Sequence, residues 1–210
     1  MTDKPTPEPA KTESGTSRRK FIAATAGAVQ LFDFDAQAIL PAAPGGTAEV
    51  YGVIVNGTAV ATPIPLDFGG FQYTIVVTGL TLDSSGTVSA YSGGSVAIYE
   101  DAATTADWAL PATFADGTAI LTGTLDPFQH TLYTATLGSG TGYVTWTGGT
   151  RLNDLAPADQ AGWPFLTGIS RAATQVEPGY SERWDGKVEP TGEVVATEQS
   201  SWAGVKALYR

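Results

Sequence analysis

Cysteine is absent from this chain of 210 residues, and histidine occurs once, at position 130. Without thiols the chain can form no disulfide bond, no thiolate metal site and no cysteine nucleophile. A Ser-His-Asp triad would need His130 between a nucleophile and a carboxylate, and the sequence lacks the Gly-x-Ser-x-Gly motif that marks such a nucleophile. Cysteine chemistry is therefore excluded, and catalysis through the single histidine is disfavoured.

Basic residues are also scarce in this sequence. It has 11 Lys and Arg against 21 Asp and Glu, which gives a formal net charge of −10. Nucleic acids and anionic membrane surfaces attract proteins with basic patches, so we expect neither as a partner. Hydrophobic residues make up 42% of the chain, which is enough for a core that needs no disulfide or metal to hold it.

Long apolar runs are missing beyond the N-terminal region. No stretch of about eighteen apolar residues occurs there, so we expect no membrane span in the mature chain. The first part of the N-terminal region, residues 1–16, is polar, contains proline and shows no periodicity. These residues are expected to be disordered.

The stretch that follows, Ser17-Arg18-Arg19-Lys20-Phe21-Ile22, resembles the twin-arginine export signal, whose pattern is Ser/Thr-Arg-Arg-x-Phe-Leu-Lys. Ser17, Arg18, Arg19 and Phe21 match that pattern, while Ile and Ala replace its final Leu and Lys. An amphipathic helix with a basic flank is the alternative, but the apolar residues here form no stripe at helical spacing. The resemblance implies export by the twin-arginine translocase, as a folded protein, to the periplasm, the cell surface or the extracellular space.

The end of the export signal is predicted from the residues after the arginines. Phe21 to Phe32 is a short, Ala-rich apolar segment of the kind found in signal peptides. Ala36-Gln37-Ala38 then offers the small-x-small pattern of a cleavage site. We therefore expect residues 1–38 to be a disordered leader with its signal.

Beyond residue 38 the sequence alternates and turns like an antiparallel β protein. In FQYTIVVTG, residues 71–79, apolar residues recur at every second position, which predicts a half-buried strand. Asn56-Gly57 is a pair preferred in type I′ turns and predicts a hairpin. Asp126-Pro127 and Asp185-Gly186 predict further turns or breaks.

About nine strands at this spacing predict an all-β fold, either an antiparallel β-sandwich (jelly-roll or Ig-like) or a barrel. We assign this domain to residues 39–192. Between Arg151 and Gly179 the pattern indicates one helical turn and a long connection. Residues 193–210 are expected to form a tail or a short terminal helix, either docked on the domain or free for recognition.

Three segments, GGSVAIYEDA (93–102), FADGTAILTGTL (114–125) and GTGYVTWTGGT (140–150), are similar to a group of exported bacterial β proteins that end in a PEP-CTERM sorting signal. This chain lacks the C-terminal sorting tail of that group. The resemblance implies a secreted or surface β domain associated with the extracellular matrix, and it supplies no catalytic residue.

Acidic residues near one predicted strand end are the candidate metal ligands. Calcium takes six to eight oxygen ligands, often carboxylates on loops, and Glu100, Asp101 and Asp107 could supply three of them. Solvated acids at a strand end are the plainer interpretation. As a glycosidase pair, Glu100 would need a distant partner such as Glu182 or Glu177 across a cleft.

Four of the five tryptophans divide into one core residue and three candidates for ligand contact. Trp146 alternates with polar neighbours and is predicted to lie in the core. Trp108, Trp163 and Trp184 lie in or near predicted turns, where flat rings suit stacking on sugars; core packing or loop anchoring is the alternative. The Trp163–Phe165 segment is the first place to expect a contact surface.

These features together predict an exported, non-catalytic β protein with a structural, adhesive or glycan-contact role at the cell surface or in extracellular matrix. Two alternatives stay open. One is a small secreted enzyme that acts on polysaccharide through carboxylates, and the other is a barrel that binds an apolar ligand. No cofactor other than a structural calcium ion is expected.

Overall fold

The computed structural model describes residues 30–56, 60–102 and 105–191. The export-signal residues Ser17 to Phe21 and the C-terminal segment 193–210 lie outside these ranges. The described residues contain nine strands: β1 (Phe32–Ile39), β2 (Thr47–Ile54), β3 (Gln72–Ser84), β4 (Val88–Ser92), β5 (Gly94–Asp101), β6 (Thr118–Leu132), β7 (Leu137–Gly148), β8 (Trp163–Ser170) and β9 (Glu182–Val188).

The strands form a closed antiparallel barrel, which confirms the all-β prediction and selects the barrel over the sandwich. Around the barrel, β1 is followed by β2 and β3, then by β4 and β5 together, and then by β6, β7, β8 and β9. The barrel closes where β9 pairs with β1. Strands β4 and β5 both lie between β3 and β6, on either side of Gly93, whose φ of 72° is left-handed. They occupy one strand position, so the barrel has eight positions.

Strand β1 places the start of the folded domain earlier than the sequence predicts. It pairs with β2 on one side and with β9 on the other, and Phe32, Phe34, Ala36 and Ala38 point into the barrel with at most 1% exposure. The predicted leader therefore contains a strand of the barrel, and the predicted domain start at residue 39 is too late. The alternation Phe-Asp-Phe-Asp is the local signal for this strand.

The barrel interior is filled by aromatic side chains. Phe34, Phe128, Phe165 and Trp184 form one contiguous group, in which Phe128 and Trp184 are stacked with ring centroids 5.0 Å apart. A second group consists of Phe32, Trp146 and Trp163. The prediction that Trp146 belongs to the core is confirmed, since it is 2% exposed.

Glycines on the inner wall make room for these rings. A Cβ atom at Gly140 would lie 2.5 Å from Cζ of Phe128, and one at Gly186 would lie 2.7 Å from Cζ of Phe34. Gly138, Gly140 and Gly142 all lie in strand β7. Large and small residues alternate across the interior so that it packs closely.

Two turns predicted from sequence are wrong, and a third lies partly outside the described residues. Gly57 of the predicted Asn56-Gly57 hairpin is not among them, and the strand before it, β2, ends at Ile54 and pairs with β1 and β3. Asp126-Pro127 is a bulge with a cis peptide bond inside the long strand β6. Strand β9 continues through Asp185 and Gly186, because its ladders to β1 and β8 hold the backbone extended on both sides.

Residues 105–117 lie in the chain segment that connects β5 to β6, and they pack on the outer wall of the barrel. We name them the strap. The strap contains a 3₁₀ helix, Pro111–Phe114. Phe114 is 1% exposed, and its carbonyl oxygen accepts a hydrogen bond of 2.6 Å from Thr74 Oγ1 on the outer face of β3. Phe114 therefore fixes the strap to the barrel.

The region from Arg151 to Gly179 contains two short 3₁₀ helices, Leu152–Asp154 and Pro157–Asp159, where the sequence indicates one helical turn. Leu155, between them, is buried and belongs to the core. In the part of the chain that the structure describes, no helix has the length and apolar character needed to cross a bilayer.

Replacing a glycine at a close contact between two strands tests this packing. A Cβ atom at Gly123 would collide with the backbone carbonyl of Thr145 on β7, which a paired strand cannot move aside. We expect Gly123→Ala to lower the free energy of unfolding by about 1–3 kcal/mol, measured by urea denaturation.

The matched control is Gly168→Ala. Gly168 also lies in a strand, and its nearest atom to an added Cβ is 3.6 Å away, an ordinary contact. We expect a change within about 0.5 kcal/mol there. Equal losses in the two variants would contradict close packing of β6 against β7 at Gly123.

Candidate functional site

A cleft of about 540 Å³ lies between the strap and the outer wall formed by β3, β5 and β6. We name it the strap cleft. The strap lines it with Pro111, Ala112 and Ala115. Its volume lies within the range of typical small-ligand sites, which is why we consider it first.

Strand alternation places the wall residues of the strap cleft. Val76 pairs with Ala97, and Ala97 pairs with Thr122, so these three residues form a row across β3, β5 and β6. Their neighbours Ile75, Ile98 and Leu121 are buried in the core. Because successive side chains point to opposite faces, the row Val76–Ala97–Thr122 faces outward into the cleft.

The strap cleft is amphipathic and uncharged. Hydroxyl groups come from Thr78, Ser95, Tyr99 and Thr147, while the row of wall residues and the strap add apolar surface. None of the lining side chains within the described residues carries a formal charge. Hydroxyls both donate and accept hydrogen bonds, so the cleft fits a neutral ligand with hydroxyl groups and an apolar face.

Tyr51 closes one side of the strap cleft in a fixed orientation. Its hydroxyl donates a hydrogen bond of 2.8 Å to Glu49 Oε2, and its ring contacts that of Phe114 at 5.8 Å. Burial, followed by the hydrogen bond and the negative charge of Glu49, raises the pKa of Tyr51 to about 12. Tyr51 is therefore a neutral, anchored wall residue.

Aromatic contacts hold the strap itself. The ring centroids of Trp108 and Phe114 are 4.6 Å apart. The Tyr180 hydroxyl donates a hydrogen bond of 3.0 Å to the Trp108 carbonyl oxygen. Trp108 is half-buried in this cluster. Of the three tryptophans predicted for glycan contact, it lies beside the cleft as an anchor of the strap.

The other two tryptophans are not at the surface. Trp163 and Trp184 are both 0% exposed inside the barrel, so the prediction that they contact glycan is wrong. Trp163 lies at an inward position of β8 and Trp184 at an inward position of β9. The neighbouring turn residues suggested exposure, but strand alternation directs both rings inward.

The three predicted calcium ligands have separate partners. Glu100 Oε2 accepts a hydrogen bond of 2.8 Å from the Tyr73 hydroxyl, and Asp107 Oδ1 accepts one of 2.9 Å from Ala109 N in the strap. Asp101 shares a side-chain hydrogen bond with Asp116. Desolvation, followed by the hydrogen bond and negative charge of Asp101, raises the pKa of Asp116 above its ordinary value. Over residues 30–56, 60–102 and 105–191, no group of three or more His, Asp or Glu side chains is close enough to hold a metal ion.

A cluster of polar and charged side chains surrounds a buried carboxylate at the barrel end opposite Glu100, with Arg171 reaching it from a partly exposed position. Glu182 is 0% exposed, and its two oxygens lie 2.9 and 3.1 Å from His130 Nε2. Arg171 Nε donates to Oε2 at 2.8 Å, and Trp184 Nε1 donates to Oε1 at 2.6 Å. We name Arg171, Glu182, His130 and Trp184 the buried cluster.

The buried cluster keeps Glu182 ionised. Burial alone would raise the pKa of Glu182, but the hydrogen bonds and charge of His130, with hydrogen bonds from Trp184 and Arg171, lower it below its ordinary value. The same negative charge acts on Tyr91, whose pKa is raised to about 12 by burial first and by Glu182 second. A carboxylate with this many donors is a structural anchor of the barrel end.

Sequence reasoning missed the buried cluster. His130 and Glu182 are separated by 52 positions, and only barrel closure brings their strands into contact. The available signal was a single histidine at an inward position of an alternating strand. Glu182 also lies too far from Glu100 to form a glycosidase pair. Strand β3 passes Glu100 at Tyr73 and reaches the end with the buried cluster at Leu82, and these two positions are roughly 30 Å apart along the strand.

Loss of the carboxylate should destabilise the barrel. Glu182→Gln leaves Arg171 and His130 facing a neutral group in a buried site, and we expect a loss of about 3–5 kcal/mol in the free energy of unfolding. Glu189→Gln is the control: Glu189 pairs with the exposed Lys187, and a surface pair contributes about 0–1 kcal/mol. Chemical denaturation of both variants measures the difference, and similar small losses would contradict an anchoring role.

Acid should remove the same stabilisation. Because the pKa of Glu182 is lower in the folded state than its ordinary value of 4.5, its contribution is complete above about pH 4.5 and is lost as the pH falls through the folded pKa. We therefore expect the stability gap between wild type and Glu182→Gln to narrow on acidification below that pH. A gap independent of pH in thermal melts would contradict this assignment.

Comparisons with protein-family models, with curated proteins and with solved structures find no match to this chain.

Proposed function

We propose that the protein is an exported, non-catalytic β-barrel that binds a neutral glycan in the strap cleft, at the cell surface or in the extracellular matrix. The observation that carries the proposal is the uncharged wall of the cleft, which combines tyrosine rings with hydroxyl groups. A sugar ring offers the complementary surface, an apolar face with hydroxyls at its edge. A bound sugar can therefore contact the tyrosine rings and the hydroxyl groups of the cleft at the same time.

The filled interior directs ligand binding to the outside of the barrel. The inward positions of the strands carry fully buried aromatic rings, among them Trp146, Trp163, Trp184, Phe128 and Phe165. A barrel that holds an apolar molecule inside needs that volume free. This packing favours the glycan-contact hypothesis over the apolar-ligand barrel.

Two properties of the chain favour a neutral glycan over a charged one. The net charge of −10 repels acidic polysaccharides at low ionic strength. Conversely, a cationic ligand would find no carboxylate among the lining residues that the structure describes. Since acidic polysaccharides and cationic ligands are both disfavoured, a neutral polysaccharide rich in hydroxyl groups fits the cleft best.

The export part of the proposal is supported by the twin-arginine pattern at Ser17, Arg18, Arg19 and Phe21. A barrel in which β1 pairs with β9 depends on contacts between strands far apart in the sequence. Such a fold is complete only once β9 has been synthesised, and a route that carries folded proteins suits it. The translocase is then a transient partner.

Binding to neutral polysaccharide tests the function. We expect the full chain to be retained on insoluble or immobilised neutral polysaccharides, such as β-glucan or dextran, without release of soluble sugar. Tyr99→Ala should weaken retention about tenfold or more, the equivalent of roughly 1.4 kcal/mol, because it removes an aromatic face and a hydroxyl from the cleft.

The control is Tyr133→Ala, which removes a tyrosine that is 69% exposed and lies outside the cleft. Retention of this variant should equal that of wild type. Equal weakening in both variants would place binding elsewhere, and release of sugar by the wild type would favour the polysaccharide-acting enzyme.

Filling the cleft gives a second test. Ala97 lies at the centre of the wall row, so Ala97→Trp should block the strap cleft and abolish retention while the thermal melt stays near that of wild type. Retention that survives this change would rule out the cleft as the glycan site.

A further inference from the structure

A second concave surface lies on the outer wall formed by β6, β7 and β8. Its volume is about 280 Å³, and we name it the tyrosine groove after Tyr143, which is 53% exposed on β7. Tyr143 pairs with Pro164 of β8. On its other side it faces the bulge of β6 at Pro127, which has no partner in the ladder to β7. The exposed ring therefore has a rigid proline on each neighbouring strand.

The next row of outward residues adds polar groups to the tyrosine groove. Gln129 pairs with Thr141, and Thr141 pairs with Leu166, so this row also crosses β6, β7 and β8. The Gln129 amide and the Thr141 hydroxyl can both donate and accept hydrogen bonds. Among the described residues, no charged side chain lines the groove. It thus combines an aromatic face, apolar side walls and neutral polar groups.

The hydroxyl group of Tyr143 is open to a ligand. Within the described residues no group forms a hydrogen bond with it, whereas the hydroxyl of Tyr133 is bonded to Ser139 Oγ at 2.6 Å. Tyrosine offers an apolar ring and a polar tip, and both can contact a molecule with an apolar face and hydroxyls at its edge. The tyrosine groove therefore presents the same combination of groups as the strap cleft.

Strand β7 leads from the strap cleft to the tyrosine groove. Its outward residue Thr147 lines the cleft, Thr145 follows, and Tyr143 and Thr141 line the groove. At roughly 3.4 Å per residue, Thr147 and Tyr143 lie roughly 14 Å apart along the strand. Thr124 of β6 is exposed and pairs with Thr145, so two hydroxyl groups occupy the interval. A path of hydroxyl groups therefore joins the two concave surfaces.

The uncharged surface ends on the far side of the tyrosine groove. Thr141 and Leu166 also border the part of the outer wall that carries Asp33, Asp185 and Lys187. A neutral chain that follows β7 from the strap cleft thus meets charged side chains just beyond the groove. The groove is the end of the uncharged path in this direction.

We propose that the tyrosine groove is a second sugar subsite, and that one polysaccharide chain occupies it together with the strap cleft. The inference rests on the proposed function, and it specifies the ligand as a chain long enough to span both surfaces. When one chain holds both contacts, the second contact becomes intramolecular, which raises the affinity. The groove alone is smaller than typical ligand sites, so we expect it to retain no polysaccharide once Ala97→Trp blocks the cleft.

Affinity for the polysaccharide tests the second subsite. The probe is the neutral polysaccharide, dextran or β-glucan, that retains the wild type. Tyr143→Ala should weaken binding about tenfold or more, because the second contact of the chain is lost. Tyr143→Phe keeps the ring and should stay within about threefold of wild type. Tyr133→Ala, the matched control, should bind like wild type, and all three variants should melt near the wild-type temperature because both tyrosines are exposed.

Chain length gives a separate readout. Oligosaccharides of increasing length, cut from the same polysaccharide, are titrated into the full chain by calorimetry. The wild-type affinity should rise about tenfold or more once the oligosaccharide spans both surfaces. Tyr143→Ala should bind the shortest oligosaccharides like wild type and should lose that rise. A variant that only disturbed the fold would lose affinity for short and long chains alike.

The outcomes distinguish a failure of the second subsite from a failure of the proposed function. Equal binding of Tyr143→Ala and wild type, or an affinity independent of chain length, would overturn the subsite and leave the strap cleft as the glycan site. Retention of Ala97→Trp with loss in Tyr143→Ala would place the glycan in the groove alone and overturn the two-site chain. A wild type that binds no neutral polysaccharide would refute the proposed function and the second subsite with it.

Discussion

Closure of the strand ladder between β1 and β9 is the constraint on which the rest of the structure depends. A closed barrel of eight strand positions encloses a fixed volume, and here aromatic rings and facing glycines fill it. Once the interior is occupied, the surface available for binding is the outer wall. The strap then creates a concave surface on that wall.

The two polar regions of the barrel have different roles because of their surroundings. In the buried cluster, Glu182 is surrounded by donors and cannot be reached, so its charge stabilises the barrel end. In the strap cleft, hydroxyl groups such as those of Thr78 and Tyr99 line an open volume. The barrel interior thus holds a buried carboxylate with its donors, whereas the strap cleft is lined by neutral polar groups.

The sequence predicts strands well and their partners poorly. Alternation in residues 71–79 identifies β3, and the same kind of alternation around Trp146 predicts that its side chain points inward. Both are local properties of the sequence. The choice of barrel over sandwich, the burial of Trp184 and the contact of His130 with Glu182 depend on pairing between distant segments. Strand β1 was assigned to the leader because the same short stretch carries a small-x-small pattern. The strap cleft was missed because its wall and its cover are separate segments.

Each strand of the barrel has a neighbour on both sides, since β4 and β5 share the position between β3 and β6. Free strand edges are the sites at which β proteins add further chains and aggregate. Copies of this domain can therefore be crowded together without pairing to one another through strand edges. Contacts between such copies would be left to side chains on a strongly acidic surface, which repel each other and keep the molecules apart.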